Sequence, residues 1–175
     1  MLTTDEKPSG FLFRLDPDLT LHKVLSGTEI PNGGSWSLDN KTFYFVNSPS
    51  KNIYAYDFDE EAGTLSNKRV FFKLDLPEGG DPDGHAIDAE GYIWQAVWGA
   101  SKVLRISPAG ELVATIELPT RHITCVRFVG EDLYITSAAD TESGDAVSEK
   151  YGGSIFKVNV GVKGREVYNF GYEGR

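Results

Sequence analysis

Four short segments of the chain carry one pattern. They are "FRLD" (Phe13–Asp16), "YAYD" (Tyr54–Asp57), "LRIS" (Leu104–Ser107) and "FKVN" (Phe156–Asn159). Each reads as a large apolar residue, any residue, a second large apolar residue and a small polar turn-former. Their starts lie 41, 50 and 52 residues apart. A second series, "FYF" at Phe43, "IWQ" at Ile93 and "LYI" at Leu133, falls about midway between them. The surrounding stretches are short, β-branched or aromatic, and punctuated by Gly, Pro, Asp and Asn, as strands and turns are. No window of about 12 residues holds a helical apolar stripe. The chain is expected to be all-β. Strand units recurring every ~40–50 residues point to a β-propeller, one blade per repeat. A β-sandwich, the competing architecture, requires no such regular period.

Three of the units are nearly complete, and the N-terminal "GFLFRLDPDLTLHKVL" is the outer half of a fourth. Closed propellers have about 4–8 blades. The expectation is a single partial propeller domain over residues 1–175, about three and a half blades, truncated relative to its fold. Its open edge strands would invite self-association.

At 175 residues, with 40% hydrophobic and 12% aromatic residues, the chain is long and apolar enough to bury a core. A net charge of −9 opposes binding to nucleic acid and to anionic membranes. The acidic balance suits a neutral or cationic small-molecule partner. Cys125 is the single cysteine, which excludes an internal disulfide framework and a cysteine-rich zinc site. With no signal-peptide pattern and no membrane-length apolar run, the expected location is the cytoplasm.

Aligning the units by their innermost strands superposes "NGGSWS" at Asn32, "DGHAID" at Asp83 and "TCVRFV" at Thr124. Each oxygen-bearing residue stands four positions before an apolar one: Trp36, Ile87 and Phe128. Equivalent inner-strand positions face one another at a propeller's central channel, so Asn32, Asp83 and Thr124 are expected at one mouth. Asn and Asp offer hard oxygens suited to Ca²⁺, Mg²⁺ or Mn²⁺, and Zn²⁺ also accepts carboxylate. Taken singly, "PNG" and "PDG" are equally common β-turns.

The runs "IPNGGSWSLDNKTFYFVNSPSKNIYAYDFDEEAGTLSNKRVF", "DPDGHAIDAEGYIWQAVWGASKVLRISPAGE" and "GGSIFKVNVGVKG" resemble the regucalcin/gluconolactonase (senescence-marker-protein-like) family. The resemblance extends from about Gly10 to the C-terminus. It implies a six-bladed propeller with one divalent metal at the channel mouth, Ca²⁺ or Zn²⁺ and alternatively Mg²⁺ or Mn²⁺, that hydrolyses small lactones such as those of sugar acids. By the same resemblance Asn32 is a metal ligand, and Asp83 is a metal ligand and the general base. The family's first-blade glutamate and a further asparagine from an earlier blade have no counterpart in this chain, which matches roughly the C-terminal three-fifths of the fold. The competing class is a catalytically inactive fragment that binds a divalent metal weakly. An organophosphate-cleaving propeller hydrolase would use the same metal logic.

Three further residues are assigned to substrate binding. His85 follows Asp83 by two, Thr124 takes the third inner-strand position, and Trp98 precedes "GAS" at a strand end. Each also has a plain structural reading: channel lining for His85, β-propensity for Thr124 and core packing for Trp98. His22 and His122 show no metal-ligand spacing, and Cys125 reads as an inert core thiol. "GGSWS" lacks the closing Gly of a nucleophile elbow. "DFDEEAGTLSNK" has Ala62 and Lys68 where a calcium loop needs Gly and Glu. "PEGGDPDG" is too acidic to cradle phosphate.

Overall fold

The structure, a computed structural model, describes residues 9–141 and 143–171. Among the described residues thirteen strands fall into four sheets, all with antiparallel neighbours. The first pairs β1 (Gly10–Leu15) with β2 (Leu21–Thr28). The second runs β3 (Pro31–Trp36), β4 (Thr42–Asn47), β5 (Asn52–Asp59), β6 (Thr64–Lys73). The third repeats this order with β7 (Asp81–Ile87), β8 (Ile93–Trp98), β9 (Lys102–Ile106) and β10 (Leu112–Glu117). In the fourth, β11 (Ile123–Val129), β12 (Asp132–Ser137) and β13 (Ile155–Asn159) lie side by side.

Register makes the repeat concrete. Trp36 pairs with Phe43, Ile87 with Ile93 and Phe128 with Leu133, so the first strand meets the second identically in three sheets. Phe43 in turn pairs with Tyr56, Ile93 with Ile106 and Leu133 with Val158. The last residues named are the second apolar positions of the recurring motif. That motif is the third strand of the second, third and fourth sheets, and in the first sheet it forms β1, paired with β2.

The sheets pack face to face in chain order, with a core layer in each gap. Phe43, Phe45 and Tyr56 pack against Leu12 and Leu25 of the first sheet. On the other side Tyr44, Val46 and Ile53 pack with Ile87, Ile93, Val97 and Leu104. Trp94, Ala96 and Val103 then meet Ile123, Val126, Leu133 and Ile135. Odd and even residues of β4 and β8 thus serve different layers, which is why these strands read as unbroken apolar runs.

A short helix and a C-terminal strap lie outside the sheets. The β12–β13 connection contains α1 (Ala146–Tyr151), whose first turn is capped by the Asp145 carboxylate accepting from the Val147 and Ser148 amides. After β13 the chain doubles back as a strap. Lys163 O accepts from Ala89 N, Gly164 N donates to Gly130 O, and Arg165 N donates to Ile87 O while its guanidinium reaches Asn40 Oδ1. The strap ties the second, third and fourth sheets at the ends of their first hairpins. Asp88 organises the hairpin it crosses: Oδ1 accepts from the Glu90 and Tyr92 amides, and Oδ2 from the Trp94 indole and Arg105. "DAEGYIW" is therefore a structural signature. No helix among the described residues is long and apolar enough to cross a membrane.

Candidate functional site

The innermost strands β3, β7 and β11 each break register once. Asn32 pairs with Val46 but Gly34 with Phe45; Pro82 pairs with Val97 but His85 with Gln95; Ile123 pairs with Ser137 but Cys125 with Thr136. One extra residue is inserted in each strand, the geometry of a β-bulge. "PNG" and "PDG" are therefore bulged strand, and the turn reading of them does not hold. None of Gly33, Gly34 and Gly84 has a positive φ. What Gly33 and Gly84 permit is close approach. A Cβ on Gly33 would sit 2.4 Å from His85 Nδ1, and one on Gly84 would sit 2.6 Å from Cys125 Sγ. Each bulge thus rests on the next inner strand, drawing the equivalent positions together.

Asn32 is held by a residue from another element. Its Nδ2 lies 3.0 Å from Ser48 Oγ, and Ser48 Oγ lies 2.7 Å from Pro82 O in the next sheet. Ser48, 6% exposed, sits in the 3₁₀ turn Ser48–Ser50 after β4. A hydroxyl carries one proton, and the Pro82 carbonyl can only accept. Ser48 must then accept from Asn32, which directs the amide NH₂ inward and leaves Oδ1 available. Asp83 follows Pro82 directly. Its carboxyl has no side-chain partner among the described residues, and partial burial pushes its pKa up to about 6, against a weaker lowering by the Gly84 amide.

Behind the Asp83 bulge runs a buried chain of side chains. Ser35 Oγ lies 2.6 Å from His85 Nε2, and His85 Nδ1 lies 3.2 Å from Gln95 Oε1. Gln95 Nε2 faces the carbonyls of Asp83 at 3.1 Å, Gly84 at 3.3 Å and Ala96 at 2.8 Å. His85 is 1% exposed and Gln95 0%. Desolvation drives the His85 pKa down to about 4, so the ring is neutral near pH 7.

The other residues assigned from the sequence are placed as follows. Thr124 is half-buried at the β11 bulge, and its hydroxyl meets Thr136 Oγ1 at 2.7 Å. Trp98, at the end of β8, pairs across the sheet with Asp81 and bridges to His122. The two rings stack at 4.1 Å and 8°. Asn32 and His85 line one cavity of about 420 Å³, together with Phe11, Leu12, Pro31, Gly33, Gly34, Phe45, Gly84, Cys125 and Arg127. Asp83, Thr124 and Trp98 are not in its lining. Sequence reasoning passed over Ser48, Ser35 and Gln95, and set His122 aside as lacking metal-ligand spacing. Only "IWQAVW" carried a signal, since a Gln in an otherwise apolar run is a buried polar group that needs partners.

Among the described residues no three His, Cys, Asp or Glu side chains form a metal-binding group. The donors on offer are the Asn32 amide oxygen and the Asp83 carboxylate, both hard. The first is oriented by Ser48, and the second is a partly buried carboxylate that an adjacent cation would stabilise. They fit two places in the oxygen shell of a divalent cation, which for Ca²⁺ needs about 6–8 donors.

Comparison with known proteins bears on this arrangement. Residues 1–139 match the model of the SMP-30/gluconolactonase/LRE-like region. Regucalcin of Gallus gallus is 37% identical over 171 residues, which is 94% of this chain and 57% of that protein. The structure of a calcium-binding protein, regucalcin, from Agrobacterium tumefaciens is similar with a TM-score of 0.82 and 28% identity, over 96% of this chain and 57% of that one. A gluconolactonase from Xanthomonas campestris is similar with a TM-score of 0.63 and 28% identity, over 72% of this chain and 41% of that one. The chain spans somewhat over half the length of the curated regucalcin it matches.

Proposed function

The chain belongs to the SMP-30/gluconolactonase/LRE-like family, and on that premise we propose that it functions as a metal-dependent hydrolase of a small lactone. The observation that carries this reading is the bond series Asn32–Ser48–Pro82 O, which crosses from the second sheet to the third and joins both candidate ligands in one construction. Likeness to a gluconolactonase supports the substrate class, and likeness to a calcium-binding regucalcin supports a divalent cation.

In this reading Asn32 and Asp83 would hold the cation through their side-chain oxygens. When bound, such an ion supplies Lewis-acid polarisation of the lactone carbonyl. Asp83 would take a proton from the water that attacks the carbonyl carbon. The ring C–O bond then breaks, and the ring oxygen takes up a proton to become the hydroxyl of an open hydroxy acid. Asn32, a neutral donor, leaves more positive charge at the centre than a second carboxylate would.

The test is hydrolysis of gluconolactone by metal-stripped protein, with Ca²⁺ or Zn²⁺ added back, beside Asp83→Ala. Metal-restored activity that the substitution abolishes is the expected result. A folded sample that binds cation but never hydrolyses lactone would favour a second reading, a non-catalytic cation-binding propeller segment. Two candidate donors from the described residues are the observation on that side.

A further inference from the structure

Asp83 is bracketed by its neighbours' side chains. The peptide carbonyl before it, Pro82 O, accepts from Ser48 Oγ, and the carbonyl after it, Asp83 O, accepts from Gln95 Nε2. The bulge takes Asp83 and Gly84 out of the regular β7–β8 pairing. Carbonyls displaced from a ladder must find other donors when buried. Gln95, directly across the ladder from His85, supplies them with one NH₂ group.

The direction of the whole chain follows from those carbonyls. Because Asp83 O, Gly84 O and Ala96 O can only accept, the Gln95 NH₂ must face them and its Oε1 must face His85. His85 therefore carries its proton on Nδ1, and its bare Nε2 accepts from the Ser35 hydroxyl. The chain reads Ser35 O–H to His85 Nε2, His85 Nδ1–H to Gln95 Oε1, and Gln95 N–H to the bulge. It begins in the second sheet and ends at the peptide bearing the Asp83 side chain. Had His85 the other tautomer, its Nδ1 lone pair would oppose Gln95 Oε1, and a flipped Gln95 would present oxygen to three carbonyl oxygens.

We propose that Gln95, with His85 and Ser35 behind it, is a positioning residue for Asp83: it fixes the peptide after Asp83 as Ser48 fixes the one before, and so aims the carboxylate at the cation. The inference rests on the metal-centre reading above and gives Asp83's surroundings a function beyond packing.

The experiment has a metal-free arm and a metal arm, both on the 175-residue chain. Nitrogen NMR of the His85 ring, near pH 7, reads the tautomer. The expected result is protonated Nδ1 and bare Nε2, and the reverse assignment would overturn the proposal whatever any variant does. Mn²⁺ titration, followed by water-proton relaxation, then compares wild type with Gln95→Met and Gln95→Glu. The second variant keeps the acceptor for His85 and removes the donors to the bulge. Both are expected to bind Mn²⁺ five- to ten-fold more weakly. Ile135→Val, a core truncation in the fourth sheet, should lose stability and keep its Mn²⁺ affinity. Affinity within two-fold of wild type in a folded Gln95 variant, or an equal loss in Ile135→Val, would refute the positioning role alone. If wild type itself binds no Mn²⁺, the metal-centre reading falls and takes this one with it.

Discussion

Ser48 and Asn32 share a hydrogen bond whose direction is set by a third group. With its only proton given to Pro82 O at 2.7 Å, Ser48 Oγ can only accept from Asn32 Nδ2 at 3.0 Å. Ser48→Ala should therefore release the Asn32 amide to rotate, cut Ca²⁺ affinity several-fold, and cost about 1–3 kcal/mol for the polar groups left unpaired. Adding Asn32→Asp should recover much of the affinity, because a carboxylate has no wrong orientation. Calorimetric Ca²⁺ titration of the single and double variants checks this, and equal affinity in Ser48→Ala and wild type would remove Ser48 from the account.

The inner-strand glycines separate close approach from backbone freedom. Gly33→Ala and Gly84→Ala each put a methyl within 3 Å of a neighbouring backbone oxygen as well as of a side chain. Each is expected to lose about 2–3 kcal/mol in urea unfolding. Gly34→Ala meets only the Phe43 ring at 3.5 Å and should fall within about 1 kcal/mol of wild type. Comparable losses at all three sites would contradict the packing described.

Acid stability of the metal-free protein should reveal two opposing groups. His85 has its folded pKa lowered from 6.5 to about 4, so its contribution is complete above about pH 6.5 and is lost as pH falls toward 4. The full loss is about 3 kcal/mol. Asp83 has its folded pKa raised from 3.8 to about 6, so its contribution is present below 3.8 and is lost as pH rises through 6. Between pH 4 and 6 the two slopes oppose each other. Asp83→Asn removes one of them, and its unfolding midpoint in urea should fall more steeply than wild type from pH 6.5 to 4.5. Parallel curves would show that Asp83 contributes no slope in this range and would overturn its raised pKa.

The Asp88 hairpin offers a contrast between a buried and an exposed carboxylate on one arginine. Asp88 is 0% exposed and accepts from Trp94, Arg105 and two amides, while Glu90 meets Arg105 from solvent. Asp88→Ala should cost about 3–5 kcal/mol, or prevent folding. Glu90→Ala should change stability by less than about 1 kcal/mol. Thermal melts of the two variants check the ordering.

The strands were legible because their apolar residues serve two core layers, and a repeat of that kind survives in sequence. The equivalent placement of Asn32 and Asp83 on β3 and β7 was legible through their common offset from Trp36 and Ile87. Their bulges were not, since a Pro-Xaa-Gly triplet looks alike in a turn and in a strand pressed against its neighbour; only the nearness of His85 and Cys125 tells them apart. Ser48 was invisible for a similar reason, because its role depends on a carbonyl 34 residues away. The helix α1, six residues long, is too short to show a period. His85, assigned to substrate on its nearness to Asp83, lies with both ring nitrogens engaged inside the protein.

The bond from Ser48 to Pro82 also constrains how such a chain can change over time. Repetitive folds invite exchange of whole units, since each sheet contributes the same outline to the stack. Here the orientation of a residue in one sheet is decided by the main chain of the next, so a transplanted second sheet would arrive with Asn32 unaimed unless the start of β7 came with it. The segment that can be inherited intact therefore runs across the boundary between two sheets, from Pro31 to Asp83.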